Sequence, residues 1–144
     1  MINILINRKK QKELQKTFKK YDVEFAYLFG SRANGKFHEK SDYDIAINLP
    51  KKFDDNQRFN IRLRLMSELF QIFSNKKVDV IILNDISSIL FKYVIFYEGK
   101  NIYEANQSAR LDYENLLQGE YFDFSPFLDE YNKLYAEKIL KSHD

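Results

Sequence analysis

The sequence predicts an α/β domain with a helical C-terminal extension, on three observations. Segments 22–29 and 77–83 are dense in β-formers, and 42–49 alternates strictly, with Tyr43, Ile45, Ile47 and Leu49 on one face. Between these segments apolar residues recur at helical spacing. From about Asn106 onward the pattern is helical, with no further strand signal.

Composition bounds the rest. A chain of 144 residues with 44% hydrophobic and 31% charged residues can bury one real core, so 1–144 reads as a single domain and wholesale disorder is excluded. Its core spans about 8–104, and C-terminal helices span about 106–141. With no cysteine there is no disulfide framework, thiolate metal site or thiol nucleophile, which suits a reducing cytoplasm. Apolar runs such as Val94–Tyr97 are far too short to span a bilayer, and Met1–Asn7 is too short for a signal-peptide core. The net charge of +2 hides an asymmetry: seven basic residues crowd positions 1–20 against Glu13 alone. That run reads as a solvated helix face, the alternative being contact with nucleic acid or an acidic partner.

The elements follow in order. Residues 8–20 form a helix with Leu14 and Phe18 inward, then a strand over 22–29 enters a Gly30-Ser31 turn, a short helical stretch and a polar loop. The strand 42–49 stops at Pro50, which cannot donate to a ladder. Asp54 or Asp55 caps a helix reaching about Phe73, with a stripe of Phe59, Leu63, Met66, Leu69 or Phe70, and Phe73. After the strand 77–83 comes a helix over 87–97 with Leu90, Val94 and Tyr97 on one side, and Gly99 ends it before a short strand at 100–104. In the C-terminal helices Gly119 and Ser125-Pro126 predict a break. A stripe of Phe124, Phe127, Leu128, Tyr131, Leu134 and Tyr135 reads as core packing, or alternatively as a docking face.

Chemistry concentrates between residues 30 and 44. Gly30 lets the backbone turn sharply, and Ser31 opens a helical turn whose free N–H groups, with Arg32 nearby, suit phosphate. Ten residues later Asp42 and Asp44 stand at i and i+2 and point to the same face, the arrangement that suits an oxygen-ligated cation such as Mg²⁺. Taken alone, each half has a plainer explanation: a strand end with a helix cap, and two solvent-facing carboxylates. Asp79 joins them, because a carboxylate among Val78, Val80, Ile81 and Ile82 is costly unless paired or metal-bound. If its strand lies beside the second, three like charges meet and need a cation to coexist ionised. His38 reads as an exposed loop histidine, and His143 carries no motif.

Gly-Ser, ten residues, Asp-x-Asp and a later strand Asp resembles the DNA polymerase β-like nucleotidyltransferases, over Val23 to Glu104. Chain length and the Gly30–Gly35 segment are most similar to the minimal nucleotidyltransferases, or MNT proteins. The resemblance implies a small mixed sheet flanked by helices, and transfer of AMP from ATP to a hydroxyl with two Mg²⁺ ions expected. It assigns Asp42, Asp44 and Asp79 to metal and catalysis, and Gly30 and Ser31 to the nucleotide, where Arg32 on its own chemistry is expected to add charge. Asn34 departs from it, standing where many relatives carry arginine. Many MNT proteins are antitoxins that attach AMP to a tyrosine of a HEPN-domain ribonuclease toxin, so such a toxin is the expected partner, with no stable nucleic-acid binding. The alternatives are transfer to a small hydroxylated molecule, or neutralisation of a toxin by binding alone.

Overall fold

A computed structural model describes residues 6–38 and 41–142. Glu39 and Lys40 of the polar loop, residues 1–5, His143 and Asp144 lie outside the described residues. Helix α1 (Arg8–Lys20) starts at Asn7, whose side chain accepts from the Lys10 amide at 2.9 Å, and buries Leu14 and Phe18 as expected. Its basic residues stay largely exposed. Strand β1 (Phe25–Phe29) starts later than residue 22, because Asp22 turns the chain with φ 59° and Val23 bonds back to the Phe18 carbonyl.

After the short α2 (Ser31–Asn34) the chain returns as β2 (Tyr43–Asn48). Leu49 falls just outside the strand, where its N–H and C=O pair with the Asn84 side chain at 2.9 and 2.8 Å. Helix α3 (Asp55–Ile72) opens with a reciprocal capping box between Asp54 and Gln57. Its buried stripe is Leu65 and Leu69, continued by Phe73, while Phe59, Leu63 and Phe70 are exposed, so the predicted stripe was rotated. Strand β3 (Val78–Ile82) and a 3-10 turn (Leu83–Asp85) lead to α4 (Ile89–Glu98), capped by Ser88. That helix buries Ile95, and the side carrying Leu90, Val94 and Tyr97 is the exposed one. Its run is apolar except for Lys92 and the terminal Glu98, which leaves periodicity no continuous polar face to mark the outside. Gly99 admits β4 (Lys100–Glu104): a Cβ there would lie 2.2 Å from the Ile95 carbonyl oxygen.

The four strands are ordered β3-β2-β1-β4, with β2 and β3 parallel and the other pairs antiparallel. The sheet is therefore mixed. One face packs Ala26, Leu28, Ile45, Ile47 and Val80 against Leu14, Phe18, Leu65, Leu69 and Phe73 of α1 and α3. The other carries Phe25, Tyr27 and Ala46 against Ile95 of α4 and, from the last helix α5 (Gln107–Ser142), Ala109 and Tyr113. Tyr27 ties α5 down by donating to Glu114 at 2.5 Å, and Glu114 is held by Arg110 at 2.9 Å.

The break expected at Gly119 and Ser125-Pro126 is absent: α5 runs on for 36 residues with Pro126 inside. Proline removes the N–H that the Phe122 carbonyl would accept. The Ser125 hydroxyl donates to that carbonyl instead, at 3.4 Å. Beyond Tyr121 the helix is largely exposed. Phe127, Tyr131, Leu134 and Tyr135 are all at least half exposed, so core packing does not explain the stripe. No described helix is long and apolar enough to cross a membrane.

Candidate functional site

The strand order brings both halves of the motif to one end of the sheet. Strand β1 ends there, and β2 and β3 begin there. Phe29, the last residue of β1, pairs with Asp44, and Asp44 pairs across the parallel ladder with Asp79. The amide of Tyr43, the residue between Asp42 and Asp44, donates to the Lys77 carbonyl at 3.0 Å and locks the two strand starts together. Gly30 then leaves the strand with φ 72°, and its carbonyl accepts from Ala33 and Asn34 to set the single turn of α2 with Ser31 first. The opening amides of a helical turn have no carbonyl four residues back, which is what an anion requires.

Gly30 and Asp44 touch. A Cβ on Gly30 would fall 2.4 Å from Asp44 Oδ2, well inside contact distance, and the positive φ would strain any other residue there. Only glycine lets the Gly30-Ser31 turn lie against the Asp44 carboxylate. The halves of the motif, separable in sequence, are one surface in space.

Electrostatics at this end are poised. The Asp44 carboxyl is pushed above the usual carboxylate range by burial, and further by the neighbouring charges of Asp79 and Asp42, with Lys77 pulling the other way. The outer carboxylates have cations of their own. Asp79 pairs with Arg62 at 3.3 Å, and Asp42 lies 4.0 Å from Lys77 Nζ. Arg62 Nε also donates to the Val80 carbonyl at 2.5 Å, so its guanidinium wraps the free edge of β3. Among the described residues no three such groups stand close enough to hold a metal ion as placed. The donor set still fits a hard divalent cation: three carboxylates, all oxygen, at adjoining strand ends, with the space beside Asp44 kept open by the missing Cβ of Gly30.

Arg32, expected at the phosphates, is buried, and its Nε and Nη2 donate to the Ser41 carbonyl at 3.2 and 3.0 Å. The Asn34 side chain accepts from the Lys36 amide at 3.0 Å, so it shapes the loop. His38 is exposed, as expected, and its amide donates to Ser41 Oγ. Arg62 and Lys77 were missed from sequence. A signal for Arg62 existed: it falls at i, i+3 and i+7 with Leu65 and Leu69, a cation in line with a buried stripe. A cavity of about 500 Å³ lies beside α3 and β3, lined by Phe59, Ile81, Ile82, Ile86, Asp55 and Asp85, and by Arg62, which also pairs with Asp79.

A family model described as polymerase beta nucleotidyltransferase matches residues 12–108. Protein adenylyltransferase MntA of Shewanella oneidensis is 30% identical over 89 residues, 62% of this chain and 60% of that protein. Protein adenylyltransferase MntA of Aphanizomenon flos-aquae is 31% identical over 93 residues, 57% of each. The chain thus spans about three-fifths of the length of the curated relatives it matches. Among solved structures, a toxin–antitoxin with AMP-PNP superposes with TM-score 0.59 at 22% identity, covering 87% of this chain and 98% of that one. A complex of tri-AMPylated Shewanella oneidensis HEPN toxin with MNT antitoxin gives 0.55 at 19% identity, with the same two shares. These structural likenesses establish the fold.

Proposed function

The chain belongs to the polymerase β nucleotidyltransferase family, and from that premise we propose that it transfers AMP from ATP, with Mg²⁺, to a tyrosine of a HEPN-domain toxin and so acts as the antitoxin of that pair. The observation that carries the reading is the contact between Gly30 and Asp44, which joins an anion-binding turn to a carboxylate cluster. The adenylyltransferase names of the two curated relatives support the choice of AMP and of a protein acceptor. The domain assignment is one nucleotidyltransferase domain, with residues 8–104 as core and the helix after residue 106 as extension, working in the cytoplasm.

The division of labour follows from the geometry. The turn at Gly30-Ser31 binds the triphosphate through backbone amides. Asp42, Asp44 and Asp79 would hold Mg²⁺, which when bound neutralises charge on the triphosphate and lowers the pKa of the acceptor hydroxyl. Asp79, on the edge strand, orients the acceptor and takes its proton, while Arg62 fixes its carboxylate before substrate arrives. A bond forms between the acceptor oxygen and the α-phosphorus, and the bond to the bridging oxygen breaks to release pyrophosphate. Positioning and electrostatics supply most of such catalysis.

The test is transfer of label from α-labelled ATP, with Mg²⁺, to the product of the adjacent reading frame. Label on a tyrosine of that product is expected, reduced at least about 100-fold by Asp44→Asn. Label remaining on ATP with all three carboxylates intact overturns the reading. If Asp44→Asn still neutralises the toxin in cells, neutralisation is by binding rather than transfer.

A further inference from the structure

We propose that Arg32 is a positioning residue that fixes Asp42 relative to the phosphate turn, and not a phosphate ligand; the inference rests on the functional reading of that site given above. Arg32 is 8% exposed, the only buried charged side chain among the described residues. Two of its nitrogens converge on the carbonyl of Ser41, the residue bonded to Asp42. Its guanidinium lies 4.4 Å from the Tyr43 ring centre and 4.7 Å from that of Phe37, between two aromatic faces.

Each end of this clamp is anchored. Tyr43 stacks on Phe73, 4.1 Å between ring centres, and Phe73 is fully buried, so the aromatic wall is part of the core. Ser41 is also held from the loop side: its amide donates to the His38 carbonyl, and its hydroxyl accepts from the His38 amide, both at 2.9 Å. Arg32 shares its helical turn with Ser31. Any shift of the phosphate turn is therefore passed through the guanidinium to Ser41, and from there to the first carboxylate of the pair. A lysine keeps the charge but has neither the fork to meet one carbonyl twice nor a plane to stack, so charge and geometry can be separated.

Arg32→Lys does this, and Phe37→Ala repeats it from the other side at a residue that is 47% exposed and spares the core. Three quantities are measured: amide hydrogen exchange across residues 36–42 in the free protein, AMP-PNP affinity in EDTA, and Mn²⁺ affinity by electron paramagnetic resonance with AMP-PNP present. For Arg32→Lys the expected result is faster exchange, Mn²⁺ affinity weakened about 10-fold or more, and metal-free AMP-PNP affinity unchanged within about twofold. Phe37→Ala weakens Mn²⁺ binding by about two- to fivefold, the worth of one exposed cation–π contact. Loss of metal-free AMP-PNP affinity with exchange and Mn²⁺ binding unchanged overturns the inference in favour of a phosphate ligand. A lowered melting temperature with all three quantities unchanged also overturns it. A wild-type protein that binds neither AMP-PNP nor Mn²⁺ overturns the functional reading and this inference together; wild-type binding that Arg32→Lys leaves untouched overturns the inference alone.

Discussion

Asp44 carries more of the site than any other side chain. It lies against Gly30, pairs in register with Asp79, and has its carboxyl raised by burial and by two like charges. A carboxyl whose folded pKa exceeds its unfolded value contributes stability that is present below the unfolded value and lost as pH rises through the folded one. At neutral pH the ionised group therefore costs the fold something. Asp44→Asn is expected to melt a few degrees higher than the wild type at pH 7 in EDTA, and the gap should close as pH falls through the carboxylate range, about 4. Thermal melts across pH check this, and an equal or lower melting point at pH 7 contradicts it. The acidic members of the site were legible because a two-residue period puts Asp42 and Asp44 on one side and an apolar strand makes Asp79 conspicuous. Arg32 was misplaced for a physical reason: an arginine beside a phosphate turn has the same sequence whether it faces the ligand or stacks between Phe37 and Tyr43. Which it does depends on how the loop returns.

Among the elements, α5 departs furthest from its sequence signals. Serine followed by proline is a strong helix-start pattern, yet here the serine repairs an interior proline by bonding the Phe122 carbonyl. The repair is expected to matter only while the proline is present. Ser125→Ala should destabilise the distal helix by about 0.5–1 kcal/mol in the wild-type background. With Pro126→Ala beside it the serine effect should vanish, because the restored amide reaches the same carbonyl, and the helix should gain up to about 3 kcal/mol. Amide exchange at residues 120–130 in the four variants measures this, and equal serine effects in both backgrounds would refute the repair. Strand identities were legible from alternation and β-branched density, the start of α3 from Asp54 and the end of α4 from Gly99. The faces of α3 and α4 were not, since both present apolar residues on several sides and tertiary packing decides between them.

At the scale of the whole molecule the two sheet faces have different tasks. One is closed over its length by α1 and α3. The other is closed by α4 and α5 around Phe25, Tyr27 and Ala46, and leaves Asp44 and Asp79 uncovered by that core at the motif end. Strand order made this arrangement. With β3 beside β2 rather than beside β1, Asp79 falls opposite Asp44, a pairing that the sequence could state only as a condition. The central claim is that Gly30-Ser31 and the three carboxylates form one nucleotide–metal site, and its most direct test is crystallographic. Crystals grown with AMP-PNP and Mn²⁺ should show anomalous density at about 2.0–2.3 Å from carboxylate oxygens of Asp42 and Asp44, with the triphosphate on the amides of the Gly30-Ser31 turn. Manganese bound away from these carboxylates, or a triphosphate seated in the cavity beside Phe59, would contradict it.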